Sequence, residues 1–169
     1  MGRIILITGG QRSGKSTYAE QMALKLSPQP VYVATAHIWD DEFRERVRIH
    51  QKRRGPEWTN LEKERQLSQL QLPGRVILID CVTLWATNFF FDFQSDVERS
   101  LQALKHEFDA FTAQEATFIF VTNEIGAGGV SENGIQRKFT DLLGWANQYI
   151  ASKAEEVYWM VSGIPVIIK

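Results

Sequence analysis

Eight residues near the amino terminus carry the densest chemical signal in this chain. Gly9-Gly10-Gln11-Arg12-Ser13-Gly14-Lys15-Ser16 has the spacing G-x-x-x-x-G-K-S. The glycines let successive backbone N–H groups turn inward and cradle phosphate oxygens. Lys15 brings a cation to the β- and γ-phosphates, and Ser16 offers a hydroxyl to Mg²⁺. A helix starting here adds the positive end of its dipole. The expected ligand is a nucleoside triphosphate with Mg²⁺. A second acid should complete such a site. The run Arg75-Val76-Ile77-Leu78-Ile79-Asp80 is apolar and ends in a carboxylate. In a phosphate-loop protein that is where an acid holds the metal, directly or through water. Ser16 and Asp80 are therefore the expected metal residues.

A third feature is His50, set among Arg44, Arg46, Arg48, Lys52, Arg53 and Arg54. Three readings stand side by side. The cations form a solvated helix face balanced by Asp40, Asp41, Glu42 and Glu45. Alternatively, Phe43, Val47 and His50 share one helix face, and His50 is a packed residue. Or His50 is a nucleophile: a neutral imidazole has a lone pair that attacks phosphorus, and the surrounding cations neutralise a triphosphate and its leaving pyrophosphate. His37 and His106 have no comparable setting.

Elements must position these groups. Apolar runs predict strands at Ile4–Thr8, Val31–Thr35, Arg75–Asp80, Thr117–Thr122, Val157–Val161 and Pro165–Ile168. Most are continuous apolar runs, as expected of strands buried on both faces. Helices are expected at Lys15–Leu26, Asp41–Lys52, Leu61–Leu70, Asp96–Thr112 and Ile135–Lys153. The alternation predicts an α/β fold: a single domain over residues 1–169, with a mostly parallel sheet flanked by helices. Val82–Phe93 holds too many large apolar side chains for one helix face. Part of it belongs to the core, and the rest suits a subunit contact or a platform for a large ligand.

Composition narrows the function. The net charge is −1 over 169 residues, which argues against bulk nucleic-acid binding. No stretch approaches the length of a membrane span. The lone Cys81 has no internal disulfide partner and reads as a small buried residue, which fits a cytoplasmic protein. The guanine-reading Asn-Lys-x-Asp pattern is absent. Asp141-Leu142-Leu143-Gly144 falls inside an expected helix, so a GTPase switch is not expected.

Taken in order, these segments resemble one known family. They are the phosphate loop Gly9 to Ser16, Val33-Ala34-Thr35-Ala36, Asp40-Asp41-Glu42, and Arg46, His50 and Arg54 at i, i+4 and i+8 with Trp58. Asp80-Cys81-Val82-Thr83 with Asn88, Val121-Thr122-Asn123-Glu124-Ile125-Gly126 and the ending Val161-Ser162-Gly163-Ile164-Pro165-Val166 follow. The chain closely resembles the adenosylcobinamide kinase/adenosylcobinamide-phosphate guanylyltransferase family over nearly its whole length. Three positions depart from the family pattern: Asp80 where Glu is common, Val130-Ser131-Glu132 in the glycine-rich loop, and Arg53-Arg54-Gly55-Pro56 after the histidine.

The resemblance implies a bifunctional enzyme of late cobalamin assembly. It would phosphorylate adenosylcobinamide with ATP or GTP, then transfer GMP from GTP to the resulting phosphate, using Mg²⁺. By the same resemblance His50 carries GMP covalently and Lys15 acts on the transferring charge. Gly9, Gly10, Gln11, Arg12, Ser13, Gly14, Lys15 and Ser16 contact nucleotide, with Ala34, Thr35, Ala36, Gln51, Lys52, Arg53 and Arg54. Glu62 and Asp80 are the site's acids. The family assembles as a homotrimer. Two other classes remain open on the residues alone. One is a small-molecule kinase without a covalent step. The other is a nucleotide-binding regulatory or motor subunit that grips nucleic acid.

Overall fold

The computed structural model describes all residues, Met1 to Lys169. Seven strands form one sheet in the order β3-β2-β4-β5-β1-β6-β7. They are β1 (Arg3–Gly9), β2 (Val31–Ala34), β3 (Thr59–Glu62), β4 (Val76–Asp80), β5 (Thr117–Asn123), β6 (Glu156–Val161) and β7 (Ile164–Ile167). All neighbours pair in parallel except β6 and β7, which form an antiparallel terminal hairpin. Five helices connect them: α1 (Lys15–Leu26), α2 (Asp41–Arg53), α3 (Val82–Asp92), α4 (Val97–Thr112) and α5 (Gly134–Lys153).

Strand periodicity divides the apolar side chains between two cores. Ile4, Leu6, Val31, Val33, Ile77, Ile79, Phe118 and Phe120 face α3, α4 and α5. Ile5, Ile7, Tyr32, Leu78, Ile119 and Val121 face the other way, toward Ala19 and Ala23 of α1. The continuous apolar runs are thus explained by burial on both sides of the sheet. α2 belongs to neither core, since none of its residues is buried. No helix is long and apolar enough to cross a membrane.

Most sequence expectations match within a residue or two, and α1 matches at both ends. One does not. The helix expected over Leu61–Leu70 is absent: Thr59–Glu62 is an edge strand, and Leu67–Gln69 form a single 3-10 turn. Leu67 and Leu70 keep an i, i+3 spacing, but Leu61 lies off their face and sits opposite Val33 in a parallel ladder. Pairing with a strand remote in sequence overrides local periodicity. The packed-histidine reading of His50 is also corrected, because its side chain is exposed. Val82–Phe93 is largely core: Val82, Trp85, Ala86, Asn88, Phe89 and Phe90 are buried, leaving Leu84 and Phe91 exposed among its large apolar residues.

Candidate active site

Parallel strands end on one edge of the sheet, and the register brings the chemistry there. Gly9 lies opposite Asn123, Val121 opposite Asp80, and Ala34 opposite both Asp80 and Glu62. Ligands of open α/β sheets bind in the crevice beyond the carboxyl ends of the strands.

The phosphate loop runs from the end of β1 into the first turn of α1. Two glycines are required by geometry. A Cβ on Gly9 would come within 2.7 Å of Ser13 Oγ and 2.8 Å of the Met160 carbonyl oxygen. Gly14 has φ of 94° and packs against Gly163, whose Cα would lie 3.1 Å from an added Cβ. The Gly163 N–H also donates to the Ser13 carbonyl at 2.9 Å, so the turn of the β6–β7 hairpin buttresses the loop. Lys15 is folded across the loop, donating to the Gly10 carbonyl and lying 3.5 Å from Ser13 Oγ. Burial lowers its pKa from the ordinary lysine value, opposed by the nearby Cys81 and Asp80.

Asp80 stands at the end of β4 as expected. Its Oδ2 accepts from Ser16 Oγ at 3.1 Å and from the Tyr32 hydroxyl at 2.8 Å. These hard oxygen donors at a helix N-terminus fit Mg²⁺. That ion takes one or two protein carboxylates or hydroxyls and completes its shell with water and phosphate, so it needs no larger acidic cluster. No group of three or more His, Cys, Asp or Glu side chains is arranged around a point.

Two adjoining hollows meet here. One, of about 520 Å³, is lined by residues Gln11 to Thr17 together with His50, Arg53, Asp80, Cys81, Val121 and Asn123. The other, of about 290 Å³, lies between α2 and the sheet, and Ser16, His50 and Asp80 belong to both. The apolar stripe of α2 explains the second hollow: half-buried Phe43 and Val47 face Ala34, Ala36 and Leu84 across it. α2 starts on Asp40, whose Oδ1 accepts the Phe43 N–H at 2.7 Å. Glu42 pairs with Arg46 and Glu45 with Arg48, the balance of charge expected along the helix, although Arg46 also lines this hollow. His50 sits in the last turn and overlooks the loop.

The remaining expected residues divide into two groups. Gln51 Nε2 donates to Glu62 Oε1 at 3.1 Å, and neither residue lines the two hollows. Lys52 and Arg53 are exposed, and Arg53 approaches Glu20 at 3.6 Å. Thr35 and Arg54 instead point inward. The Thr35 hydroxyl bridges the backbone of Cys81, donating to its carbonyl at 2.7 Å and accepting its N–H at 3.1 Å. Arg54 lies beneath the end of α2, its guanidinium over the Tyr32 ring. Two residues of the site lie outside the expected set of contacts. Asn123 ends β5 as a polar residue after an apolar run, a signal that was present. Tyr32 looks like an ordinary strand aromatic, and nothing local marks its contact with Asp80.

Fold, loop and acid together define a phosphate-loop nucleotide-binding protein. A solved ATPase from the type III secretion system of pathogenic bacteria shares this fold at a TM-score of 0.57 and 10% identity, over 94% of this chain and 51% of that one. The finer assignment comes from sequence. Residues 5–168 match the model of the cobinamide kinase / cobinamide phosphate guanyltransferase family, and the chain belongs to that family of transferases. The bifunctional adenosylcobalamin biosynthesis protein CobU of Escherichia coli K12 is 38% identical over 98% of this chain and 99% of its own. The corresponding CobP of Pseudomonas aeruginosa is 35% identical over 97% and 96%.

Proposed function

We propose that this protein phosphorylates adenosylcobinamide and then transfers GMP from GTP to adenosylcobinamide phosphate through a guanylyl-histidine at His50. The observation that carries the reading is that His50 shares a cavity with the phosphate loop and Asp80. The loop backbone from Gly9 to Ser16 binds the triphosphate, and the Lys15 ammonium stabilises charge on the transferring group. Mg²⁺ held by Ser16 and Asp80 supplies further neutralisation of phosphate charge when bound.

In the kinase step the substrate hydroxyl takes the γ-phosphoryl group of ATP or GTP directly. In the second step an imidazole nitrogen of His50 bonds to the α-phosphorus of GTP as the bond to the bridging oxygen breaks, and pyrophosphate leaves. The phosphate of the substrate then attacks the same phosphorus, the N–P bond breaks, and the imidazole is restored. Splitting the transfer gives each acceptor a direct displacement. Arg53 in the cavity lining contacts the nucleotide, joined by Lys52, Gln51 and Glu62 beside it, with Ala34 and Ala36 on the cleft wall. Thr35 acts from behind by fixing the Cys81 backbone. A single domain of 169 residues does this work in the cytoplasm as a homotrimer.

Incubation with α-labelled GTP, followed by denaturation, tests the covalent step. The wild type should carry an acid-labile, base-stable label, as a phosphoramidate does. His50→Ala should carry none and should lose guanylyl transfer, while still binding nucleotide and retaining kinase activity in part. Because His50 is exposed, the variant should keep the wild-type denaturation midpoint. A labelled adduct in folded His50→Ala would overturn the assignment of this residue.

A further inference from the structure

Asp80 is held by a group outside the phosphate loop. The Tyr32 hydroxyl donates to Asp80 Oδ2 at 2.8 Å, closer than Ser16 Oγ at 3.1 Å. Tyr32 pairs with Leu78, and Ala34 with Asp80, so the phenol reaches one residue pair forward along the same sheet face. Tyr32 as a whole is 7% exposed. Trp58 meets the ring edge-on at 6.1 Å, and the Arg54 guanidinium covers the ring with Cζ 3.3 Å from its centroid.

Arg54 is an unusual residue to find there. Its side chain is 2% exposed. Nε donates to Asn60 Oδ1 at 2.9 Å, while Nη1 faces Glu20 Oε1 at 3.9 Å and makes no hydrogen bond. An apolar side chain would fill the same volume without desolvating a charge. What the guanidinium adds is attraction to the ring face, which holds the phenol in one orientation. Arg54 is also the C-terminal cap of α2, four residues after His50, on a helix that buries nothing else.

We propose that Tyr32 and Arg54 are positioning residues of the nucleotide site. Tyr32 occupies Asp80 Oδ2 and so leaves Oδ1 as the oxygen offered to the metal–nucleotide complex. Arg54 locks Tyr32 and, through the same contact, ties the His50 end of α2 to the strand beside Asp80. This rests on the reading of Ser16 and Asp80 as the metal residues.

The test is the binding of α,β-methylene GTP, measured by calorimetry with and without Mg²⁺. Tyr32→Phe removes one oxygen and keeps the ring, so its denaturation midpoint serves as the check on folding. Wild type should gain affinity when Mg²⁺ is added, and Tyr32→Phe should lose about 10-fold of that gain with metal-free binding unchanged, the size expected when a group that orients a metal ligand is removed. Arg54→Met keeps the bulk and removes the charge. It should lose part of the same gain and slow GMP-adduct formation in kcat and not in KM. The double variant should show no larger loss of the Mg²⁺ effect than Tyr32→Phe alone, since Arg54 acts on Asp80 through Tyr32. A full Mg²⁺ gain in folded Tyr32→Phe would overturn the inference and leave the proposed function standing. No Mg²⁺ gain in wild type would overturn the metal reading itself.

Discussion

At the scale of single residues, burial decides which reactive-looking groups are reactive. Cys81 adjoins the phosphate cavity, yet burial pushes its thiol up from 9.0 to about 12, helped by the Asp80 charge. A thiol that high carries almost no thiolate at neutral pH. Iodoacetamide should therefore label Cys81 in denatured protein and leave the native protein unlabelled at pH 7.5; rapid native labelling would contradict this. The sign for stability follows from the same shift. The unfolded thiol ionises near its ordinary value while the folded one does not, so this contribution is complete below about pH 9 and declines as pH rises toward 12. His50 is the opposite case: it is exposed, on a helix without buried residues, and its effects should appear in chemistry and not in stability.

At the scale of elements, α2 is the piece whose hold on the molecule is weakest. It carries three of the expected nucleotide contacts after His50, and its first turn depends on the Asp40 cap. Removing such a cap costs about 1 kcal/mol. In Asp40→Ala that cost should fall on α2 locally, because the helix contributes no buried side chain to either core. Hydrogen exchange should quicken across residues 43–50 with the global denaturation midpoint nearly unchanged, and GMP-adduct formation should slow. Uniform loss of protection across the sheet would show that α2 unfolds only with the whole. α1 stands in contrast, since it buries Ala19 and Ala23 and its N-terminus is set by the loop itself.

At the scale of the whole molecule, the helical layer stops short of the sheet's last strands. Trp159, Val161, Ile164 and Val166 share one face of the β6–β7 hairpin and are all exposed, with Ile164 at 65%. An uncovered apolar face on an edge strand invites pairing with another chain. For the proposed homotrimer this hairpin is a better contact than Val82–Phe93, whose bulk lies in the core. Ile164→Asp should convert the assembly to monomers in sedimentation equilibrium. A trimer that persists at micromolar concentration in this variant would move the contact elsewhere.

The sequence by itself determined the phosphate loop, the acid at the end of β4, both ends of α1 and the placement of the apolar strands. These are local properties. A glycine spacing, an apolar run or a helix cap is specified by residues close together in the chain, so each is legible without knowing what lies across the fold. The family, too, was legible, because its motifs occur in a fixed order over nearly the whole length. Only the tertiary structure decided that Leu61 belongs to a strand, since that depends on Val33 lying beside it. Only the structure separated the arginines after His50, leaving Arg53 exposed and laying Arg54 over the Tyr32 ring. Two adjacent arginines of identical charge cannot reveal which guanidinium is buried, because burial is set by residues remote in sequence. Likewise the phenol of Tyr32 acquires its partner only when parallel pairing sets β2 against β4, 48 residues away, and brings its hydroxyl to Asp80.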